Sequence, residues 1–219
     1  MKAATPLRIT ILVDNPQSWF VPYADKIAER LRSLGHQVVR TAAPAEIQKG
    51  DVAFFLSCER LIKESIRARN THNIVIHGSN VPEGKGWSPL TWSVLEGKSE
   101  ITVSLFEAED AVDSGEVYAR QTFPLEGHEL VDEIRKKEAD VMEEMAVSFI
   151  ESYPPREGEV QKGEGSFYPK RTAADSELDP KKSLVDTFDL LRIVDNERYP
   201  AFFKHRGHPY ILKIYKKEE

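Results

Sequence analysis

Asn73 to Pro89 reads NIVIHGSNVPEGKGWSP. The stretch opens on an apolar, β-branched run, Ile74-Val75-Ile76, which reads as a buried strand of a parallel sheet. His77, Gly78, Ser79 and Asn80 follow at once, and then a loop punctuated by Pro and Gly carries Lys85 and Trp87. In open α/β sheets the crevice outside the carboxyl ends of the strands is where ligands bind. A titratable His at that position is a candidate functional group, to be weighed against a satisfied structural His.

The flanking pattern fits this reading. Upstream, Arg8 to Asp14 (RITILVD) is a strand closed by the turn Asp14-Asn15-Pro16. Phe20 to Leu34 spaces Ala24, Ile27, Ala28, Leu31 and Leu34 as a helix that stops at Gly35. Val38-Val39 begins a second strand, Asp51 to Leu56 forms a third, and Ser57 to Arg69 is a loop entering a helix. This succession predicts a doubly wound α/β domain. The first turn, VDNPQSW, contains no glycine, which argues against a dinucleotide site.

Downstream, Leu90 to Leu95 reads as a helix closed by Gly97. Ile101 to Phe106 and Glu116 to Gln121 are strands around a polar segment, Glu107 to Gly115. His128 to Tyr153 is a long amphipathic helix. The expected division is a catalytic domain at 1–153, a Pro/Gly-rich linker at 154–166 and a small C-terminal α+β appendage at 167–219. Within the appendage a helix is predicted over Ser183–Val194 and a hairpin around Gly207.

Composition narrows the class. Of 219 residues, 40% are hydrophobic and 30% charged, as in ordinary globular proteins able to bury a core. The net charge of −6 gives no attraction toward nucleic acid or an anionic membrane. No apolar run approaches the ~20 residues of a membrane span. The single cysteine, Cys58, and the absence of a leader pattern after Met1 predict a cytoplasmic protein without disulfides.

His77, Asp113 (in AVDSGEV) and Asn80 stand where acid–base chemistry would put them. An imidazole near a carboxylate is a general acid/base arrangement. Asp113 reads equally as a turn residue bonding local backbone, and for Asn80 the capping or turn reading is the favoured one. His72 and His77 lack ligand spacing and Cys58 lacks companions, so no metal site is expected. A lone cysteine defaults to a small buried hydrophobe.

HGSNVPEGKGWSP resembles the signature of the formyltetrahydrofolate-dependent formyltransferases, matched at His77, Ser79, Val81-Pro82, Lys85-Gly86 and Pro89. Asp113-Ser114-Gly115 is similar to the family's D-x-G turn, and FFLSCERLI to its folate-binding strand and loop. FYPKRTAADSELD, followed by LLRIVDNERYPAFF, resembles the C-terminal portion of the branch that formylates nucleotide-linked amino sugars. GKGWSPLTW is similar to the enzyme type of the pseudaminic-acid pathway.

The resemblance implies a Rossmann-like formyltransferase domain using formyltetrahydrofolate as co-substrate. The acceptor it implies is the amine of a UDP-linked 4-amino-4,6-dideoxy sugar. The implied roles are catalysis for His77 and Asp113, the folate pocket for Cys58, Glu59, Arg60, Leu61 and Ile62, and sugar-nucleotide contact for Ser79, Lys85 and Trp87. Tyr168 and Arg171 are candidates for diphosphate or base. The family's catalytic Asn, two residues before the His, is here Val75; Asn80 or a backbone amide would have to replace it. Two alternatives stay open: another amine (glycinamide ribonucleotide or aminoacyl-tRNA), or a binding protein without turnover. A homodimer through the C-terminal strands is compatible with the pattern.

Overall fold

The computed structural model describes residues 5–217, so the last two residues of the charged C-terminal tail lie outside it. Strand β1 (Arg8–Leu12) leads to helix α1 (Val21–Ser33), β2 (Gln37–Thr41) and β3 (Gly50–Phe55). A short helix α2 (Glu64–Arg67) precedes β4 (Asn70–His77). Then come β5 (Lys85–Gly86), α3 (Pro89–Leu95), β6 (Glu100–Glu107), β7 (Val117–Pro124) and the long α4 (Val131–Glu151). The remainder holds β8 (Phe167–Tyr168), α5 (Phe188–Ile193), β9 (Ala201–His205) and β10 (His208–Leu212).

Six strands form one sheet in the order β2-β1-β3-β4-β6-β7. The first four run parallel, so Leu12, Phe55 and His77 end at one edge. β6 and β7 then turn antiparallel, with His77 opposite Ser104. The fold is the expected Rossmann-like α/β type, and its sheet is mixed. Between β4 and β6 the chain holds only β5 and the seven-residue α3, and it re-enters the sheet antiparallel.

Helix α1 starts with a proline in its first turn and ends against Gly35, whose φ of +93° is the left-handed cap an L side chain resists. Its stripe Ala24, Ile27, Ala28 and Leu31 is fully buried on the sheet, beside α4. Phe54 and Phe149 meet edge to face, 6.2 Å apart.

Two predicted helices are shorter than their patterns suggest. α4 begins at Val131 rather than His128, because Glu129 turns inward to accept the backbone N–H groups of Glu126 and Gly127. In the last helix Ser183 to Asp186 folds into a side-chain-bonded turn, and regular helix starts only at Phe188.

The segment at 154–166 is bonded along its length. Glu159 pairs with Val117, and Gln161 donates to the carbonyls of Asp113 and Gly115. The Ser166 hydroxyl accepts from Gly84 N–H, and β8 pairs with β5. Residues that position Asp113 and Gly84 thus come from a stretch whose sequence reads as connector. No described helix is long and apolar enough to cross a membrane.

Candidate active site

A cavity of about 610 Å³ opens at the carboxyl edge of the sheet, within the range of small-molecule sites. His77 closes β4 there. Its Nε2 lies 3.1 Å from the Gly84 carbonyl and 3.6 Å from Asp113 Oδ2. Both neighbours accept hydrogen bonds, so Nε2 is the protonated nitrogen and Nδ1 is left for a substrate. The edge of Phe106 packs on the imidazole at a centroid distance of 6.4 Å.

Gly84 can present its carbonyl because it has no side chain. With φ at +66°, an added Cβ would come within 2.8 Å of the Tyr168 ring. Asp113 also adopts a left-handed conformation, φ +48°, which Asp tolerates better than most residues. Its Oδ2 accepts the Gly86 N–H at 2.8 Å, and its own carbonyl accepts from Gln161. The local turn is closed instead by the Ser114 hydroxyl donating to the Ala111 carbonyl. The Asp113 carboxylate therefore points at histidine and loop, rather than at its own backbone.

The Cys58–Ile62 loop forms the adjoining wall. The Asp14 carboxylate accepts the N–H groups of Glu59 and Arg60 at 2.8 and 3.0 Å, fixing the chain as it leaves β3. Asn15 donates to Glu59, and the hydroxyls of Ser18 and Ser57 share a hydrogen bond. Ile62 anchors the loop in a small cluster with Leu12, Ile47, Ala53 and Phe55. Burial, reinforced by the Asp14 charge, pushes the Cys58 thiol up to about 12. At neutral pH it is an apolar wall, since thiolate is the reactive form. Iodoacetamide at pH 8 is accordingly expected to alkylate Cys58 at least ~10-fold more slowly than free cysteine; modification at the free rate would overturn this.

The remaining candidates divide. Trp87 lines the cavity with the Lys170 ammonium 4.2 Å from its ring centroid. Arg171 also lines it, donating to the Asp175 carbonyl and keeping its Nε buried without a partner. Four others lie elsewhere. Asn80 is exposed, outside the cavity lining, its carbonyl accepting from Glu83 N–H in the turn. Ser79 is buried behind His77, accepting the Ser104 hydroxyl through its carbonyl. Lys85 is engaged through its backbone with Ser166 and Phe167. Tyr168 stacks on Trp92 and donates its hydroxyl to Glu96.

Val75 shares the cavity with His77, as alternation along a strand requires, and brings no amide. Asn15, Lys170, Arg198, Arg135 and Glu138 also line the cavity and were not among the residues singled out from sequence. The first sits in the turn after β1, where the carboxyl-edge rule could have found it. Glu138 interrupts the buried stripe of α4, which is itself a signal. Lys170 and Arg198 are placed by long-range packing alone.

The model of the formyl transferase family matches residues 24–150, and the chain belongs to that family. It is thus a formyl-transfer enzyme, of a family whose donor is formyltetrahydrofolate. Among solved structures it is similar to a methionyl-tRNA formyltransferase from Clostridium thermocellum, with 20% identity, 97% of this chain and 94% of that one covered, and a TM-score of 0.80. HypX from Aquifex aeolicus, in complex with tetrahydrofolic acid, matches at 21% identity and a TM-score of 0.78; the match covers 96% of this chain but 38% of HypX. A sugar N-formyltransferase from Shewanella sp. matches at 15% identity and a TM-score of 0.65, over 97% and 99% of the two chains. At such identities the likeness is one of fold.

Proposed function

We propose that the protein moves the formyl group of formyltetrahydrofolate to the amine of a nucleotide-linked amino sugar, a UDP-4-amino-4,6-dideoxy sugar of the pseudaminic-acid type. The observation that carries this reading is the His77–Asp113 pair at the floor of the cavity, 3.6 Å apart, beside the Asp14-held loop. The fold is shared with sugar N-formyltransferases as well as with a methionyl-tRNA formyltransferase, and the resemblance of FYPKRTAADSELD to the amino-sugar branch is what favours the sugar acceptor.

The cavity suits the donor. Cys58, Leu61 and Ile62 offer an apolar wall, and the loop backbone from Glu59 to Ile62 offers polar groups for a pterin edge. Bound there, the folate supplies the formyl carbon. His77, with Nε2–H held by Gly84 and Asp113, acts as the imidazolium and donates Nδ1–H to the formyl oxygen, where negative charge develops. Asp113 orients the ring and supports that cation. Val75 leaves that oxygen without a side-chain amide, so more of its stabilisation falls on His77. Trp87, Lys170 and Arg171 form a cationic and aromatic wall for the sugar nucleotide.

Tetrahydrofolate release, followed with formyltetrahydrofolate and a panel of UDP- and dTDP-linked amino sugars plus methionyl-tRNA, tests the reading. Turnover with one UDP-linked acceptor is expected. Transfer to methionyl-tRNA alone would overturn it, an outcome the net charge of −6 disfavours, because tRNA affinity rests on Lys/Arg contacts to phosphate.

A further inference from the structure

Glu138 lies in the middle of α4, is 5% exposed, and turns its carboxyl into the cavity. Its neighbours in the buried stripe are Ile134, Ala139, Val141, Met142 and Met145, so an apolar residue would satisfy the packing. No described side chain or backbone group hydrogen-bonds it. Arg135, one turn earlier on the same helix, is committed to Asp195 at 3.1 Å. A buried carboxyl without a partner is unstable as an anion, and burial holds Glu138 up at about 7 against the opposing influence of Arg135.

The backbone makes room for this acid. A Cβ added at Gly78, the residue after His77, would meet Glu138 Oε1 at 2.0 Å. The carboxyl therefore lies against the chain just after His77, in space that a side chain at position 78 would contest. Glu138 thus sets an acid without a hydrogen-bonding protein partner inside the cavity, beside the exit of β4, where a cationic group entering the site would meet it.

We propose that Glu138 receives the acceptor amine as its ammonium and takes its first proton. This rests on the amino-sugar formyl-transfer reading. Of the three hydrogens on the ammonium nitrogen, one passes to the Glu138 carboxylate, giving a carboxylic acid and a neutral amine. The amine lone pair forms the new bond to the formyl carbon, and the bond from that carbon to the folate nitrogen breaks. The departing nitrogen takes the second hydrogen, and the third stays on the formamide. Glu138 returns its proton to solvent as product leaves. His77 at the end of β4, Asp113 in the turn between β6 and β7, Arg135 on α4, and Asp195 and Arg198 of the C-terminal segment line the same cavity.

Glu138→Gln keeps the shape and removes the base. With formyltetrahydrofolate and the UDP-4-amino sugar at pH 7, kcat/KM is expected to fall about 100-fold, with tetrahydrofolate affinity and Tm no lower than in the wild type. Glu138→Asp, which keeps the acid, recovers part of the rate. Above the pKa of the amine, where the acceptor is already neutral, the deficit of E138Q shrinks. A deficit equal at all pH values, or none, overturns the proposal. Infrared difference spectra give a readout without turnover: amino-sugar binding near neutral pH abolishes a carboxylic-acid band in the wild type, and E138Q has no such band. An unchanged wild-type band also overturns it. Wild-type turnover separates the two readings. Where it is present, an unaffected E138Q sinks the role of Glu138 alone; where it is absent with every acceptor, both readings fall together.

Discussion

His77→Ala is expected to lower kcat for formyl transfer by about 10²–10⁴, the usual span for a positioned acid–base group, and to leave tetrahydrofolate affinity within a few-fold. The split follows from geometry. The imidazole sits at the end of β4, 3.1 Å from the Gly84 carbonyl, whereas the folate wall is built separately on the Asp14-capped loop. Asp113→Asn probes the same unit from the other side. Its amide oxygen can still accept the Gly86 N–H, so the loop stays in place. The charge beside Nε2 is gone, and kcat falls while folate affinity holds. Kinetics by tetrahydrofolate release and affinity by calorimetry check both variants. Parallel loss of rate and folate binding would show that the histidine shapes the pocket. Full activity in both variants would remove the pair from the mechanism.

The reason this pair could be read from sequence is physical. An apolar β-branched run ending in His at a Pro/Gly loop encodes a strand, its edge and its outward group within a few residues. The Cys58–Ile62 stretch read from its own residues only as a loop leaving an apolar strand; its place at the folate pocket came from the family resemblance. Other parts of the site depend on distant chain. Asn80 has the composition of a donor, but Ser79 turns inward behind His77 and Asn80 emerges into solvent. Tyr168 looks like a ligand residue locally, yet Trp92 and Glu96 give its ring and hydroxyl better partners.

The stretch 154–166 reads as connector because its Pro, Gly and charged residues mark irregular backbone, whereas its bonds go to partners far along the chain, at Gly84, Asp113, Gly115 and Val117. The reversal of β6 is likewise invisible to alternation, which tells which face is buried but not strand direction. Glu138 had a signal of its own. It falls four residues after Ile134 and seven before Met145, on the apolar stripe, and a charge there is seldom buried without a function.

The second large effect is on stability. Arg192→Ala is expected to destabilise the protein by about 3–5 kcal/mol, because removing one partner of a buried pair strands the other. Arg192, on α5, donates through Nη2 to Glu129 Oε2 at 2.9 Å and through Nε to the Glu129 carbonyl at 3.0 Å; the two side chains are 5% and 3% exposed. Glu129 also accepts Lys137 at 2.6 Å and the N–H groups that shape the entry to α4. Losing Arg192 loosens α4 from α5 and disturbs the cavity wall at Val194 to Arg198, so activity drops with stability. For a chain of this length the Tm falls by roughly 10 °C, readable by calorimetry. The acid limb gives an independent check. Burial opposes the charge on Glu129, but Lys137 and the backbone N–H groups outweigh it and hold the carboxyl at about 2. A carboxyl depressed on folding stabilises above its unfolded pKa of about 4.3, and that stability drains as pH falls toward the folded value. Glu129→Gln is therefore expected to flatten the loss of stability between about pH 5 and 2. Glu129→Gln with Arg192→Met, which strands no buried carboxylate and keeps an acceptor for the Glu126 and Gly127 N–H groups, is expected to be milder than Arg192→Ala. An Arg192→Ala protein with an unchanged Tm would show that Lys137 alone satisfies Glu129 and that α5 is held by its apolar contacts.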